Sequence, residues 1–170
     1  TIKVAEVIGW KADEAPQPVK GLTVGRFAEK LDHPRAMLLL PNGDVLVAET
    51  NSPPRKNPGI EGKVMRWLMS RAGAGTPSAN RISLLRDMDG DGVAEAKHVL
   101  LTGLNSPFGM ALKGDRLLVA NTDAVLSYPF APGQTSIAEK GEKLFDLPAT
   151  GTNNHWTRGL LLNPEGDKLY

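Results

Sequence analysis

The residues best suited to chemistry are one histidine and one run of carboxylates. His155 follows a polar Thr-Gly-Thr-Asn-Asn loop and precedes Trp156 and the apolar run Gly159 to Leu162. An imidazole with an ordinary pKa near 6.5 is a ready general base at neutral pH, although a loop histidine also serves as a surface or capping residue. Asp87, Asp89, Asp91 and Glu95 fit the pattern D-x-D-x-D-G-x-x-E. Alternating acids wrap a hard cation, Gly92 permits the sharp turn, and Val93 offers a backbone carbonyl. Such a cluster repels itself without a cation, so calcium is the expected ligand and a solvated Asp/Gly turn the plain alternative. Position twelve of a helical calcium loop would be His98 rather than Glu, so a calcium-clasping β-hairpin closed by Glu95 is the better description. Arg158 could pair with an anionic ligand or form a surface ion pair.

These residues must be positioned by short strands, because the chain has few helix-length periodic segments and many turns: 18 Gly and 13 Pro in 170 residues. Leu31 to Thr50 reads as an entrance loop, an apolar run, a Pro-Asn-Gly-Asp turn and a β-branched run, which is a tight hairpin. The pattern recurs: LDHPRAMLLLPNGDVLVAET aligns with LNSPFGMALKGDRLLVANT and again with NNHWTRGLLLNPEGDKLY. Turn aspartates Asp44, Asp115 and Asp167 mark the copies. Leu22 to Phe27 and Lys63 to Met69 alternate with period two and predict further strands.

One hairpin recurring with about four strands per repeat predicts an all-β propeller built of four-stranded antiparallel blades. Three incomplete copies do not close a ring, so the 170 residues are expected to be about the first half of one; a small β-sandwich is the alternative. Residues 1–20 form a lead-in and 21–170 the first blades. Loops that precede a blade's first strand gather around a propeller's central channel, which puts His33, Asn105 and His155 at channel-facing entrances.

Composition narrows the function classes. A net charge of +1 with 23% charged residues makes no electrostatic case for nucleic acid, and the basic KVMRWLMSR stretch reads as a solvated strand face. Absence of Cys excludes disulfides and zinc-thiolate sites. No apolar run is long enough to span a membrane.

FAEKLDHPRAMLLLPNGDVLVAETNSPP, RAGAGTPSANRISLLRDMDGDGVAE, GLNSPFGMALKGDRLLVANTDAVLSYPF and NNHWTRGLLLNPEGDKLY together resemble the L-sorbosone dehydrogenase group, which is similar to soluble quinoprotein glucose and aldose dehydrogenases. The resemblance covers nearly all of residues 21–170. It implies a six-bladed propeller using pyrroloquinoline quinone (PQQ) and calcium, a sugar or aldose substrate, an external electron acceptor, and a periplasmic location with the leader removed. It casts His155 as catalytic base and places Asn105, Asn154 and Arg158 by the cofactor. The relatives' Asp before the histidine is Asn154 here, and Asn105 stands where they carry a longer Gln. The departure at Asn154 keeps a second reading open: a non-catalytic propeller that serves as a binding or scaffold module.

Overall fold

The structure, a computed structural model, describes residues 7–11, 14–54, 59–73, 76–149 and 155–170. Eight strands form two four-stranded antiparallel meanders, β1 (Pro34–Leu39), β2 (Val45–Glu49), β3 (Arg81–Arg86) and β4 (Ala96–Leu101), then β5 (Met110–Lys113), β6 (Arg116–Ala120), β7 (Ala124–Pro129) and β8 (Glu142–Asp146). These are consecutive propeller blades. Their hairpins keep one register: Met37 pairs with Val47 as Met110 pairs with Val119. Asn42 accepts from the Asp44 N–H in the first turn, where Gly43 takes φ 89, which suits glycine. Leu161 and Tyr170 exchange backbone hydrogen bonds at 2.8 Å, the start of a third hairpin.

A propeller blade must be apolar on both faces, and β2 is buried without interruption from Leu46 to Glu49. One continuous core joins the two sheets: Leu46, Ala48, Ile82 and Leu84 of the first meet Leu117, Val119 and Tyr128 of the second. β1 and β5 are the strands through which the sheets touch. The outer strand β8 is exposed throughout, and the β7–β8 connection ties back by Ile137 N–H to the Leu100 carbonyl at 2.9 Å.

Two sequence expectations are corrected. Lys63 to Met69 lies inside a helix, α1 (Gly59–Arg71), not a strand. Its Lys, Met, Leu and Arg are strong helix formers, and Gly73 at φ 73 ends it. Leu22 to Arg26 is exposed, irregular backbone rather than a half-buried strand, with no ladder partner among the described residues; only at Phe27, which is half-buried, does a neighbour bond, the Ala94 N–H donating to its carbonyl at 2.8 Å. The chain divides into two compact units, Thr1–Arg26 with Pro54–Pro77, and Phe27–Pro53 with Ser78–Tyr170; the second contains both sheets.

Candidate functional site

Entrance loops before β1 and β5 share an unusual backbone. His33 and Ser106 each precede a proline and each take positive φ, 49° and 46°. A non-glycine residue in that region is strained, so other bonds must hold it there. Thr50 N–H donates to the His33 carbonyl at 3.1 Å. Ser106 N–H donates to Asn80 Oδ1 at 2.9 Å.

The strand beside each entrance supplies a side-chain acceptor. Asp32 N–H donates to Glu49 Oε2 in the first blade, and Asn105 N–H donates to Asn121 Oδ1 at 3.2 Å in the second. Glu49 has 0% exposure and also receives Arg81 and Ser83. Burial alone pushes its carboxyl up, but those hydrogen bonds outweigh burial and hold it below its usual range. Arg81 bridges on to Asp32 at 2.7 Å.

The third entrance docks on the other two. Trp156 is only 7% exposed. Phe108 meets its ring edge-on with centroids 6.3 Å apart, and the Arg35 guanidinium lies 5.6 Å from the ring centroid. Thr122 links the loops: its N–H donates to the Asn105 carbonyl at 2.9 Å and its hydroxyl to the Trp156 carbonyl at 3.3 Å. Gly109 N–H donates to the Arg158 carbonyl at 2.8 Å. That approach leaves no room for a side chain, since a Cβ on Gly109 would stand 2.5 Å from the Leu160 nitrogen.

Among the predicted site residues, His155 is exposed beside buried Trp156, and Asn105 is exposed with its backbone anchored at both ends. Arg158 is committed to the loop itself, donating to the carbonyls of His155 (2.7 Å), Pro148 (2.8 Å) and Thr157 (3.3 Å). Asn154 lies outside the described residues. Arg35 carries the other guanidinium at the entrances. Only the fold shows that it stacks on an aromatic ring, and its side chain is exposed.

In the β3–β4 connection, ligand oxygens from Asp87, Asp89, Asp91 and Glu95 all lie within 4.8 Å of one another. Ligands opposite each other across calcium, at 2.3–2.6 Å from the ion, stand about 5 Å apart, so the spacing fits. Asp87 accepts the N–H groups of Gly92 and Gly90, which hold its carboxyl below the usual range. Asp89 and Asp91 each accept the N–H two residues on, and Glu95 accepts from Met88. The carboxylates are thus pre-oriented by the turn.

A family model described as "Domain of unknown function (DUF7133)" matches residues 29–160. The chain belongs to this family. The DUF7133 match spans both sheets and the third entrance through Gly159. No curated protein matches. Among solved structures, the chain is similar to the holo form of the pyranose dehydrogenase PQQ domain from Coprinopsis cinerea, with TM-score 0.56 and 16% identity over 88% of this chain and 31% of that one. It is also similar to the Trichoderma reesei protein of carbohydrate-active enzyme family AA12, in an iodide and a calcium structure, with TM-score 0.57 and 19% identity over 84% of this chain and 30% of that one. The chain therefore spans about a third of the length of these structures, and at such identity the likeness is one of fold.

Proposed function

We propose that this DUF7133 chain carries blades of a six-bladed, periplasmic, PQQ-dependent dehydrogenase that oxidises a sugar or related aldose and passes electrons to an external acceptor. The observation that carries the reading is the convergence of three entrance loops on Trp156, which sets His155, Asn105 and Arg35 around one junction. Dehydrogenase chemistry is also what the name of one structural neighbour, the Coprinopsis cinerea pyranose dehydrogenase PQQ domain, describes for that protein.

PQQ is a planar quinone bearing carboxylates, and the donor set fits it: a guanidinium on an aromatic platform and an exposed amide whose backbone is anchored. Arg35 and Asn105 are the residues here that would hold the cofactor, which when bound would supply the acceptor for one hydride, that is, for the two electrons of the oxidation. His155 takes the proton from the substrate hydroxyl, its loop steadied by the Arg158 bond to its own carbonyl. Asn154, an amide where the resembled family has a carboxylate, adds no negative charge next to His155 in the sequence. Asp87, Asp89, Asp91 and Glu95 hold calcium as a structural clasp on the β3–β4 turn.

The test is dye reduction by the complete protein after loading with PQQ and calcium. His155→Ala should abolish turnover while leaving the spectroscopic PQQ titration and the melting temperature in place. Unchanged turnover in that variant removes His155 as the base. A second reading, a non-catalytic binding propeller, is favoured by the commitment of Arg158 to backbone carbonyls; failure of the complete protein to bind PQQ would establish it.

A further inference from the structure

Exposed apolar side chains and positive charge are concentrated in the same unit of this molecule. Of the 20 large hydrophobic residues exposed among the described ones, 11 lie in the unit formed by Thr1–Arg26 and Pro54–Pro77, which holds 50 of the 170 residues. That unit also carries nine Lys and Arg against four Asp and Glu, a net charge of +5, whereas the unit with both sheets has eleven against fifteen, a net charge of −4. The whole-chain value of +1 conceals this division.

Helix α1 shows how the two properties are arranged. None of its residues is buried. At about 100° per residue, Trp67, Ile60, Val64, Leu68, Met65 and Met69 spread over one broad arc that also contains Arg71, between Ile60 and Val64, and Glu61, beside Leu68, while Lys63, Arg66 and Ser70 occupy the opposite one. Ile60 is 83% exposed and Trp67 58% exposed. Arg71 lies 5.0 Å from the Trp67 ring centroid, so a cation sits against the tryptophan within the apolar arc itself. Glu61 is the helix's one acid, and Arg55 and Lys56 precede it in the sequence.

We infer that α1 is an interfacial helix that docks this protein on an anionic lipid surface. A bilayer boundary offers hydrocarbon and negative charge in one plane, which matches an apolar arc bordered by Trp and backed by Lys and Arg that extend to headgroups. Thirteen residues rise about 20 Å, short of a hydrocarbon core of about 30 Å, and no helix among the described residues is long and apolar enough to cross a membrane. The helix lies on the surface. An acidic protein would satisfy the cations but leave the broad apolar arc in water, and a nucleic acid would leave it there as well.

The experiment is sedimentation of the complete protein with phosphatidylcholine vesicles, with and without phosphatidylglycerol, at low and high salt. Binding is expected only with phosphatidylglycerol and should fall as salt rises. Lys63→Gln with Arg66→Gln should weaken it about 30-fold, at about five- to sixfold per cation. Ile60→Ser with Val64→Ser should weaken it at unchanged charge, and both pairs alter exposed positions, so circular dichroism should show an intact fold. No binding to anionic vesicles overturns the proposal, as does equal binding to pure phosphatidylcholine. Tighter binding to polyglutamate or to a duplex oligonucleotide overturns it in favour of a macromolecular polyanion. Self-association that is lost in the Ile60→Ser/Val64→Ser variant, without vesicle binding, assigns the arc to a second copy and also overturns it.

Discussion

Replacing Gly109 with alanine probes whether the third entrance is docked where the structure places it. The added Cβ would meet the Leu160 nitrogen at 2.5 Å, the Arg158 oxygen at 2.6 Å and the Gly159 carbonyl carbon at 2.7 Å. All three are backbone atoms, so no side chain can rotate aside, and ordinary contact distances require a separation near 3.5 Å or more. The strand must retreat by about 1 Å, which stretches the 2.8 Å bond from Gly109 N–H to the Arg158 carbonyl. Overpacking at about 1–3 kcal/mol and a lost hydrogen bond at about 1 kcal/mol give a destabilisation of about 2–4 kcal/mol. For a chain of this length that corresponds to a fall in melting temperature of roughly 5–15 °C. Gly159→Ala is the matched control, since a Cβ there meets nothing within 4 Å; it should melt within about 2 °C of the parent. Calorimetry of the two variants decides the matter. Equal melting temperatures would refute the packing of the third entrance on β5, and with it the grouping of His155 with Asn105 and Arg35.

Acid should weaken the first blade in a defined window. Glu49 and Asp44 are held below their ordinary values of 4.5 and 3.8, Asp44 chiefly by its paired hydrogen bonds from Arg86. Their stabilisation is complete above the unfolded values and is lost as pH falls through the lower folded ones; urea titrations from pH 7 to pH 2.5 should show this slope, reduced in Asp44→Asn and Glu49→Gln. Calcium at about 100 times its dissociation constant should add about 2.7 kcal/mol, or roughly 5–10 °C in melting temperature. A chelator should reverse that gain and Asp89→Asn with Asp91→Asn should remove it, and indifference of the parent to both calcium and chelator would end the cation assignment. Arg35→Ala should weaken PQQ binding by tenfold or more while shifting the melting temperature by less than about 3 °C, because the Arg35 side chain is itself exposed and a cation–ring contact of an exposed cation contributes only about 0.5–1 kcal/mol to folding. Undiminished cofactor binding in that variant would return the role to another residue.

The hairpins were legible because their determinants are local: Pro-Asn-Gly-Asp and Lys-Gly-Asp dictate a reversal whatever surrounds them, and the apolar runs beside them then pair by register. Residues 63–69 misled because Val64, Arg66 and Leu68 alternate with Met65, Trp67 and Met69, while the same seven residues also satisfy helical spacing. Over so short a stretch, propensity and flanking Gly decide, not period. Leu22 to Phe27 has a strand's pattern but no strand among the described residues forms a ladder with it, and pairing is non-local information. Among the site residues, the exposure of His155 and Asn105 follows from their place before apolar runs. The stacking of Arg35 on Trp156 joins loops about 120 residues apart in sequence, and the engagement of Arg158 depends on how its own loop folds back on the His155 and Pro148 carbonyls, so neither could be read from residue type or spacing.

The acceptors at Glu49 and Asn121 have a consequence for how this architecture accommodates change. Each receives the N–H of an entrance residue, Asp32 or Asn105, so the shape of the entrance is imposed from the neighbouring strand and not by the entrance residue's own side chain. One socket uses a carboxylate braced by arginine and the other a neutral amide, and both present the loop alike. The plug is interchangeable at position 105, where a new side chain can alter what faces a ligand without refolding the loop that carries it, whereas the Asp32 carboxylate also pairs with Arg81 and so helps to brace its own socket. At position 105, specificity and folding stability are inherited through separate residues.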